Sequence, residues 1–195
     1  SASASEWWFV VRDGDYSVQS LSSNTRSKLS RGKRRLEARL VSPGELLVNG
    51  YGVCEEAVAT YGRSEFLPSR ETFAARVEAA ALYPSSMEFL GVFRDGNLLA
   101  FSENHLQDGG VFLESIWYEP SGLKDYSSYV LIDAILEEYI VRRGYRYVSD
   151  GSRSIYHETG VHDFLIDKFG FRRASAEMHL AYSPRLRWAM LLSRP

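Results

Sequence analysis

The sequence predicts an α/β protein with a mixed β-sheet and helices on both faces. Residues 87–119 carry three strand patterns in succession, separated by Asp-Gly turns at 94–97 and 108–110, and Asp-Gly supplies the positive φ values that tight hairpins require. A helical pattern over 127–145 then leads to a strand at 145–152. Because a helical crossover joins parallel strands, we expect an antiparallel meander plus one parallel strand pair.

A strand, a helix and a second strand are predicted at the start of the chain. Residues 6–14, EWWFVVRDG, form a strand that ends in an Asp-Gly turn. Ser23 or Asn24 can cap a helix over 25–36, because a short polar side chain there accepts a hydrogen bond from a free helical N–H group. EARLVSP at 37–43 is a short strand that its proline ends.

Two helices separate this strand from the meander. The first, over 45–62, contains several glycines. The second, over 69–83, begins at a serine and places Phe73, Val77 and Ala80 on one face. Both helices therefore offer an apolar side to a sheet.

After the meander and its crossover, the chain ends with a helix, a strand and a basic tail. The helix over 161–171 places Leu165 and Phe169 on one face. Residues 172–183 alternate as a last strand, and 184–195 form a short basic amphipathic segment.

The composition fits one globular domain with short appendages. The 195 residues are 45% hydrophobic and 13% aromatic, which is enough for a sizeable core. The single cysteine, Cys54, excludes an internal disulfide framework and fits a reducing compartment. No apolar run reaches the roughly 18–20 residues that cross a bilayer. We therefore expect a cytoplasmic protein, with the membrane surface as the alternative location.

Four segments divide the chain. Residues 1–5, SASAS, are a tag remnant or a processed end, 6–40 hold the first strand and the basic helix, 41–183 form a single domain, and 184–195 are the C-terminal segment. Residues 1–40 hold eight Lys/Arg against four Asp/Glu, and the remainder holds fifteen against twenty-one. The basic stretch is therefore a local feature on an acidic body, which is unlike a uniformly basic nucleic-acid binder.

This order of elements resembles the GNAT (Gcn5-related N-acetyltransferase) superfamily. The meander corresponds to the family's second to fourth strands and residues 127–144 to its central helix. FLIDKFGFRR at 164–173 is similar to the family's closing helix, which ends in Gly-Phe. The resemblance spans about residues 40–183. It implies a GNAT-like fold and acyl transfer to an amine from acyl-CoA or another acyl donor.

The basic stretch carries a second resemblance. SLSSNTRSKLSRGKRRLEARLVS, residues 20–42, is similar to the segment that leads into a GNAT repeat in Fem-type peptidoglycan aminoacyltransferases, with Thr25, Arg26, Arg31 and Arg34 in matching positions. Complete Fem proteins carry two repeats, and this chain has room for one. The resemblance therefore implies a single-domain relative of the Fem-like branch.

Two positions depart from GNAT enzymes that use acyl-CoA. Those enzymes carry R/Q-x-x-G-x-G/A before the central helix, where backbone N–H groups hold the pyrophosphate, whereas EPSGLKDYSSY keeps Gly122 and Lys124 without the glycine pair. They also often place a Tyr four residues before the Gly of Gly-Phe, as proton donor to the leaving thiolate, and this chain has Ile166 there. Both departures resemble the Fem-like branch.

The loop before the central helix is the candidate donor site. Ser127 and Ser128 can cap the helix while its free N–H groups receive an anion, with Lys124 adding charge. The alternative is an ordinary capped helix. The resemblance places the acyl donor along the preceding strand end and this loop, at Trp117, Tyr118, Gly122, Leu123, Lys124, Ser127 and Ser128.

Glu114 is the first candidate for proton transfer. It lies in the strand pattern VFLESIW, and regular alternation puts it on the opposite face from Leu113 and Ser115. A buried strand carboxylate beside the acyl carbon can accept the proton of an attacking amine. The alternative is a solvated glutamate on the strand face.

The densest polar cluster, SDGSRSIYHETGVHD at 149–163, follows the strand beside the expected cleft, where open α/β sheets place ligands. Asp150 and His157 are candidates to take the amine's proton, and Arg153 can hold a phosphate or carboxylate. The alternative is a surface loop in which Asp-Gly-Ser forms a turn. Contacts with the acceptor are expected at Ser152, Arg153, Tyr156, Glu158 and His162.

Two other enzyme classes are disfavoured by spacing. His157 and His162 lie five residues apart across a glycine, whereas a zincin motif needs two histidines four apart on one helix face. The chain has no G-x-S-x-G motif, and Cys54 falls in a predicted helix, which argues against a Ser or Cys hydrolase. We therefore expect no metal site and no hydrolase triad.

The basic stretch leaves three hypotheses open: a solvated segment, contact with a phosphorylated substrate or anionic lipid, and RNA binding. On a helix its charges fall on several faces, and the acidic body and the missing aromatic residues disfavour RNA. The residues concerned are Arg26, Arg31, Lys33, Arg34 and Arg35.

The sequence thus predicts an N-acyltransferase or aminoacyltransferase. It would move an acyl group from a thioester or aminoacyl donor to a primary amine of a small molecule or a cell-envelope precursor. Strand N–H groups would stabilise the oxyanion, and much of the acceleration would come from holding the two reactants together. The alternative is a non-catalytic, degenerate GNAT domain that binds a ligand or RNA.

Overall fold

The computed structural model describes residues 8–61, 67–152 and 160–176. Its strands are β1 (Trp8–Asp13), β2 (Glu37–Val41), β3 (Met87–Arg94), β4 (Asn97–Gln107), β5 (Gly110–Tyr118), β6 (Tyr147–Ser152) and β7 (Arg172–Ser175). Its helices are α1 (Ser23–Lys33), α2 (Pro43–Tyr61), α3 (Arg70–Leu82), α4 (Pro120–Lys124), α5 (Ser127–Leu136), which continues as a π-helix over Glu137–Arg142, and α6 (Gly160–Phe169). Residues 177–195, with the end of the predicted last strand and the C-terminal segment, lie outside these ranges.

The seven described strands form one mixed sheet in the order β2-β3-β4-β5-β6-β1-β7. β5 and β6 run parallel, and every other neighbouring pair is antiparallel. The predicted meander and parallel pair are therefore confirmed. β1, the first of the described strands in sequence order, lies inside the sheet between β6 and β7.

Helices cover both faces of the sheet, as predicted. Successive strand side chains point to opposite faces, so β3 sends Leu90 and Val92 to one core and Phe89 and Phe93 to the other. α1, α5 and α6 pack on the first core, and α2 and α3 pack on the second. Among the described helices, none has the length and apolarity to cross a lipid bilayer.

Helix starts show where local capping was predicted correctly and where it was not. The Ser69 hydroxyl accepts a hydrogen bond from the Thr72 N–H group at 3.1 Å and begins α3, as expected. α1 begins after Ser22, whose hydroxyl accepts from the Thr25 N–H group at 3.2 Å. The predicted cap at Ser23 or Asn24 is wrong, because the backbone is already helical at Ser23.

Gly32 lets α1 approach α5 closely. A Cβ atom at this position would lie 2.7 Å from Val130 Cγ2 and 3.2 Å from the carbonyl oxygen of Asp125. Only a residue without a side chain fits there unless its neighbours shift. The contact fixes the basic side chains of α1 beside the connection between β5 and α5.

Gly32→Ala is expected to lower the free energy of unfolding by up to about 2 kcal/mol. Overpacking costs about 1–3 kcal/mol, and the higher helix propensity of alanine offsets about 1 kcal/mol of this. Gly52→Ala is the matched control, because Gly52 is exposed within α2 and a Cβ there meets nothing within 4 Å. Urea unfolding should show that the control is stabilised by up to about 1 kcal/mol. Equal stabilisation of both variants would contradict the close contact.

Candidate functional site

The parallel strands β5 and β6 separate within the sheet. Their pairing runs from Gly110 opposite Tyr147 to Phe112 opposite Ser149, after which β5 continues to Tyr118 and β6 to Ser152. Open α/β sheets bind ligands at the carboxyl ends of their parallel strands. The space between the diverging ends, called here the β5–β6 opening, is the candidate active site.

A β-bulge lies at this opening. Glu103 of β4 is opposite Ser115 and Asn104 is opposite Leu113, so Glu114 is an extra residue in β5. The prediction that Leu113 and Ser115 share a face is wrong for this reason. Leu113 packs in the core under α5, whereas Ser115 donates a hydrogen bond to Glu103 on the α3 side. Glu114 itself is exposed, with 58% of its side-chain surface accessible.

Asp150 and His162 form a pair at the same opening. Asp150 is the first β6 residue beyond the last pair with β5, and it shares a face with Val148, towards α6. His162, in the first turn of α6, places Nε2 3.3 Å from Asp150 Oδ2, and both side chains are largely buried. Trp8 packs edge-on against the imidazole at a centroid distance of 5.6 Å. The structure thus joins one residue predicted for proton transfer and one predicted for acceptor contact.

Both members of this pair retain a proton to higher pH than they would in water. Burial raises the pKa of Asp150, an effect that His162 only partly offsets. The Asp150 carboxylate in turn raises the pKa of His162 above its ordinary value of 6.5. The pair can therefore hold a proton and exchange it with a bound ligand.

The remainder of the predicted acceptor cluster is only partly described. Ser152 ends β6, at the mouth of the opening. Three predicted acceptor residues, Arg153, Tyr156 and Glu158, lie outside the described ranges, as does His157, which was predicted for proton transfer.

The connection between β5 and α5 contains the short helix α4 where a loop was predicted. Tyr126 precedes α5 in the left-handed conformation, with φ of 65°, and no side chain caps the helix. The predicted capping by Ser127 and Ser128 is therefore wrong, because both are already helical. Ser127 is fully buried, and its Oγ has no hydrogen-bond partner among the described residues. The first N–H groups of α5 thus have no side-chain cap and can receive an anion.

The predicted donor residues surround this connection. Trp117 Nε1 donates a hydrogen bond to Ser115 Oγ at 3.1 Å, at the end of β5. Gly122 is buried, and a Cβ there would lie 3.0 Å from Leu99 Cβ, so α4 packs closely on β4. The other members are half-buried or exposed: Tyr118, Leu123, Lys124 and Ser128.

The end of α1 and the connection between β5 and α5, called here the donor connection, line one cavity. Its volume is about 260 Å³, and its walls are Arg31, Arg34, Arg35, Lys124, Asp125 and Tyr126. Arg35 and Arg94 each form an ion pair with Asp125 at 2.7 Å and so neutralise its carboxylate. The Arg31 guanidinium stacks on the Tyr126 ring, 5.0 Å from its centroid. The basic stretch and the donor connection, separate in the sequence, are thus neighbours in the fold.

Several charges of the basic stretch have structural partners. Arg26 donates hydrogen bonds to two backbone carbonyl oxygens, and Lys33 forms an ion pair with Asp133 at 2.6 Å. In the described part of the chain no carboxylate pairs with the three cations that give the cavity its positive charge, Arg31, Arg34 and Lys124.

A buried polar segment of β4 was missed by sequence reasoning. Ser102, Glu103 and Asn104 are all 0% exposed, and each has one side-chain oxygen without a partner among the described residues. Glu103 Oε1 accepts hydrogen bonds from Ser115 Oγ at 2.7 Å and from Arg76 Nη2 at 2.8 Å. Three consecutive polar residues within the apolar strand pattern LLAFSENHL were the available signal.

No protein-family model matches the sequence, and no curated protein matches it. Solved structures do. FemX superposes with a TM-score of 0.66 at 10% identity, over 86% of this chain and 59% of FemX. AAC(6')-Iy, in complex with the bisubstrate analogue CoA-S-monomethyl-acetylneamine, gives 0.53 at 16% identity, over 76% and 97%. The C-terminal domain of a putative lysylphosphatidylglycerol synthetase from Agrobacterium fabrum gives 0.51 at 15% identity, over 74% and 45%.

These likenesses establish the fold. The chain spans 59% of FemX and 45% of the synthetase structure. The open seven-stranded sheet with one parallel pair and helices on both faces is the GNAT fold, so the predicted fold is confirmed. The expected resemblance to the Fem-like branch is confirmed at the level of fold by the match to FemX.

Proposed function

We propose that this GNAT-fold chain is an acyltransferase that moves an acyl group from an activated donor to a primary amine. The observation that carries the proposal is the β5–β6 opening, which has the Asp150–His162 pair on one face and the basic cavity near the end of β5. FemX and a protein whose structure was solved in complex with a CoA bisubstrate analogue share this fold, which supports acyl transfer as the reaction class.

The proposed donor carries phosphate. Arg31, Arg34 and Lys124 give the cavity a positive charge beside the uncapped start of α5. A guanidinium binds phosphate through paired donors, and a helix start adds backbone N–H groups. Acyl-CoA, a carrier-protein thioester and an aminoacyl-tRNA all carry phosphate and an activated acyl group. Acyl-CoA is the donor to test before the others.

The opening suits the acyl group itself. With its phosphates at the basic cavity, the donor would run along β5 beyond Phe112, and its carbonyl would lie between the diverging strands. Along Leu113–Trp117, N–H groups that point away from β4 can donate to the carbonyl oxygen and stabilise negative charge on it. Holding donor and amine side by side supplies a further part of the acceleration.

The Asp150–His162 pair is the proposed proton-exchanging group. It can accept a proton from the attacking amine or return one to the leaving group. Glu114 is a weaker candidate, because its carboxylate is exposed and lies 4.0 Å from His105. His157 remains a prediction outside the described residues. The acceptor is proposed to be a small molecule or a cell-envelope precursor, and its contacts with Ser152, Arg153, Tyr156 and Glu158 remain predictions.

A ligand-binding module without turnover is the second candidate. Its support is Ile166, which packs against the core under α6 at the position where the resemblance implies a proton-donating tyrosine. Binding of the donor without transfer to any amine would favour this candidate.

The first test is calorimetric titration of the purified protein with CoA, acetyl-CoA and a long-chain acyl-CoA. We expect one-to-one binding that Lys124→Ala or Arg31→Ala weakens about tenfold, which corresponds to about 1.4 kcal/mol per lost phosphate contact. Arg70→Ala is the matched control, since Arg70 is an exposed arginine that pairs with Glu55 between α2 and α3, away from the cavity.

Each outcome of this titration is informative. Equal weakening by Arg70→Ala would show that overall charge governs binding and would contradict the cavity as the site. Absence of binding by all three compounds would contradict acyl-CoA as donor and turn the search to aminoacyl esters and carrier-protein thioesters.

A further inference from the structure

We propose that Ser115 and Glu103 form a proton relay that removes the proton of the attacking amine on the sheet face opposite the Asp150–His162 pair. The inference rests on the proposed acyl transfer and assigns the acceptor's side of that same site. Ser115 would be the group that touches the amine. Glu103 would act through it, as a positioning residue that also receives the proton.

The bulge places Ser115 for this role. Ser115 is the first β5 residue after the extra Glu114, and it lies beyond the pairing of β5 with β6. Regular alternation would turn it towards α5, whereas the bulge turns it towards α2 and α3. Its hydroxyl donates to Glu103 Oε1 at 2.7 Å and accepts from Trp117 Nε1 at 3.1 Å. A hydroxyl has two acceptor positions, so one remains for an amine N–H group.

Glu103 is a stronger base than an exposed glutamate, because its pKa is raised. It is 0% exposed, and its Oε2 has no partner within the described ranges. Burial raises its pKa, although Arg76 and the Ser115 hydroxyl lower it in part. The ionisable groups around it are Arg76 of α3, Cys54 of α2, Glu114 of β5 and His105 of β4 itself.

The two proton-exchanging groups lie on opposite faces of the opening. Asp150 and His162 are on the face that α5 and α6 cover, and the basic cavity beside α5 would hold the donor's phosphates on that face. Ser115 and Glu103 are on the face that α2 and α3 cover. A donor approaching from one face leaves the other free, so the amine would arrive beside Ser115.

The step balances without a further reactant. The amine nitrogen forms a bond to the acyl carbon, and the carbonyl π electrons move to oxygen. One proton of the resulting ammonium passes to Ser115 Oγ while the Ser115 proton passes to the Glu103 carboxylate. The carbonyl re-forms, the bond from acyl carbon to the donor's sulfur or oxygen breaks, and the leaving atom keeps the electron pair. His162 can then protonate that atom.

Ser115→Ala and Glu103→Gln test the relay with acetyl-CoA and with an amino sugar, a peptide lysine and a peptide α-amine as acceptors. We expect each substitution to lower kcat about tenfold to a hundredfold, below the range for a dedicated base because water in the opening can also take the proton. The KM for acetyl-CoA should not change. Ser102→Ala is the matched control, since it removes a fully buried hydroxyl from the position next to Glu103 in β4.

The pH profile separates the relay from a purely structural ion pair. Activity needs ionised Glu103, so kcat should rise with pH through the raised pKa of Glu103. This acidic limb should vanish in Glu103→Gln and move to higher pH in Ser115→Ala, which removes a hydrogen bond that favours the carboxylate. A carboxyl-carbon NMR titration, with Glu103 assigned by its absence in the Gln variant, should show the same raised pKa without any turnover.

The outcomes separate the relay from the reaction itself. An active wild type whose two variants keep their kcat and their acidic limb would overturn the relay and leave the proposed function intact. A wild type that binds acetyl-CoA but acylates none of the amines, despite a raised pKa at Glu103, would overturn both. If Glu103→Gln fails to fold, Ser115→Ala alone decides, because Ser115 is only half-buried and alanine fits within the space of serine.

Discussion

Substituting asparagine for Asp150 is expected to lower the rate of acyl transfer by about 10²–10⁴-fold while donor binding at the basic cavity persists. Asparagine keeps the shape of the side chain, but it can neither exchange a proton nor hold His162 as an imidazolium. Positioned acid–base groups contribute a factor of this size. The control is Asp163→Asn, which removes an exposed carboxylate from the neighbouring position of α6.

The same variant has a signature in pH. Asp150 raises the folded-state pKa of His162 above 6.5, so the pair's contribution to stability is fully present below pH 6.5 and is lost as pH rises through the raised value. At acidic pH the contribution of the ion pair to stability is also lost, because Asp150 becomes protonated. In Asp150→Asn the His162 titration should return towards 6.5. An unchanged imidazole titration by NMR would disprove the ion pair, and wild-type turnover would remove Asp150 from the mechanism.

Asp133→Ala should cost more stability than any other substitution considered, about 2–4 kcal/mol. Asp133 of α5 is 2% exposed, and its carboxylate accepts a hydrogen bond from the Tyr16 hydroxyl and contacts Lys33 Nζ, both at 2.6 Å. Removing the carboxylate leaves the buried Tyr16 hydroxyl without an acceptor, which costs about 1–3 kcal/mol, and breaks a partly buried ion pair. The loss falls short of a fully buried pair because Lys33 is 51% exposed.

Two companion variants divide this cost. Asp133→Asn keeps an acceptor for Tyr16 and should lose about half as much, whereas Lys33→Ala should lose less than about 1 kcal/mol because its charged end is solvated. Chemical denaturation measures all three. If Asp133→Ala were as stable as Lys33→Ala, the buried hydrogen bond to Tyr16 would contribute nothing to the free energy of unfolding.

The order of helices and strands along the chain could be predicted from local sequence signals. The order of the strands within the sheet could not. Asp-Gly turns, apolar periodicity and a glycine after the last helix are signals that each lie within or next to the element that they define. The position of β1 between β6 and β7 depends on pairing across more than a hundred residues, for which a single sequence contains no local signal.

The site shows the same division. Asp150 and His162 were recognisable as a polar group after a strand, because that position is a property of the local pattern. Their pairing, and the meeting of Arg31 with Lys124, depend on tertiary contacts such as the approach at Gly32. The hydrogen bond between Ser115 and Glu103 could not be predicted, because regular alternation along β5 places Ser115 on the other face of the sheet. The bulge at Glu114 reverses that assignment.

The place of β1 in the sheet also sets an order of assembly. β7 pairs with β1, and β1 is joined to β6, where the Ser149 hydroxyl donates to the Val10 carbonyl oxygen 139 positions away. Closing so large a loop is entropically costly, and long-range pairing of this kind slows folding. During synthesis an aromatic, β-branched segment therefore waits unpaired while its partners are still being translated, exposed to wrong associations. β1 precedes the other described strands in the sequence and is expected to be among the last of them to pair.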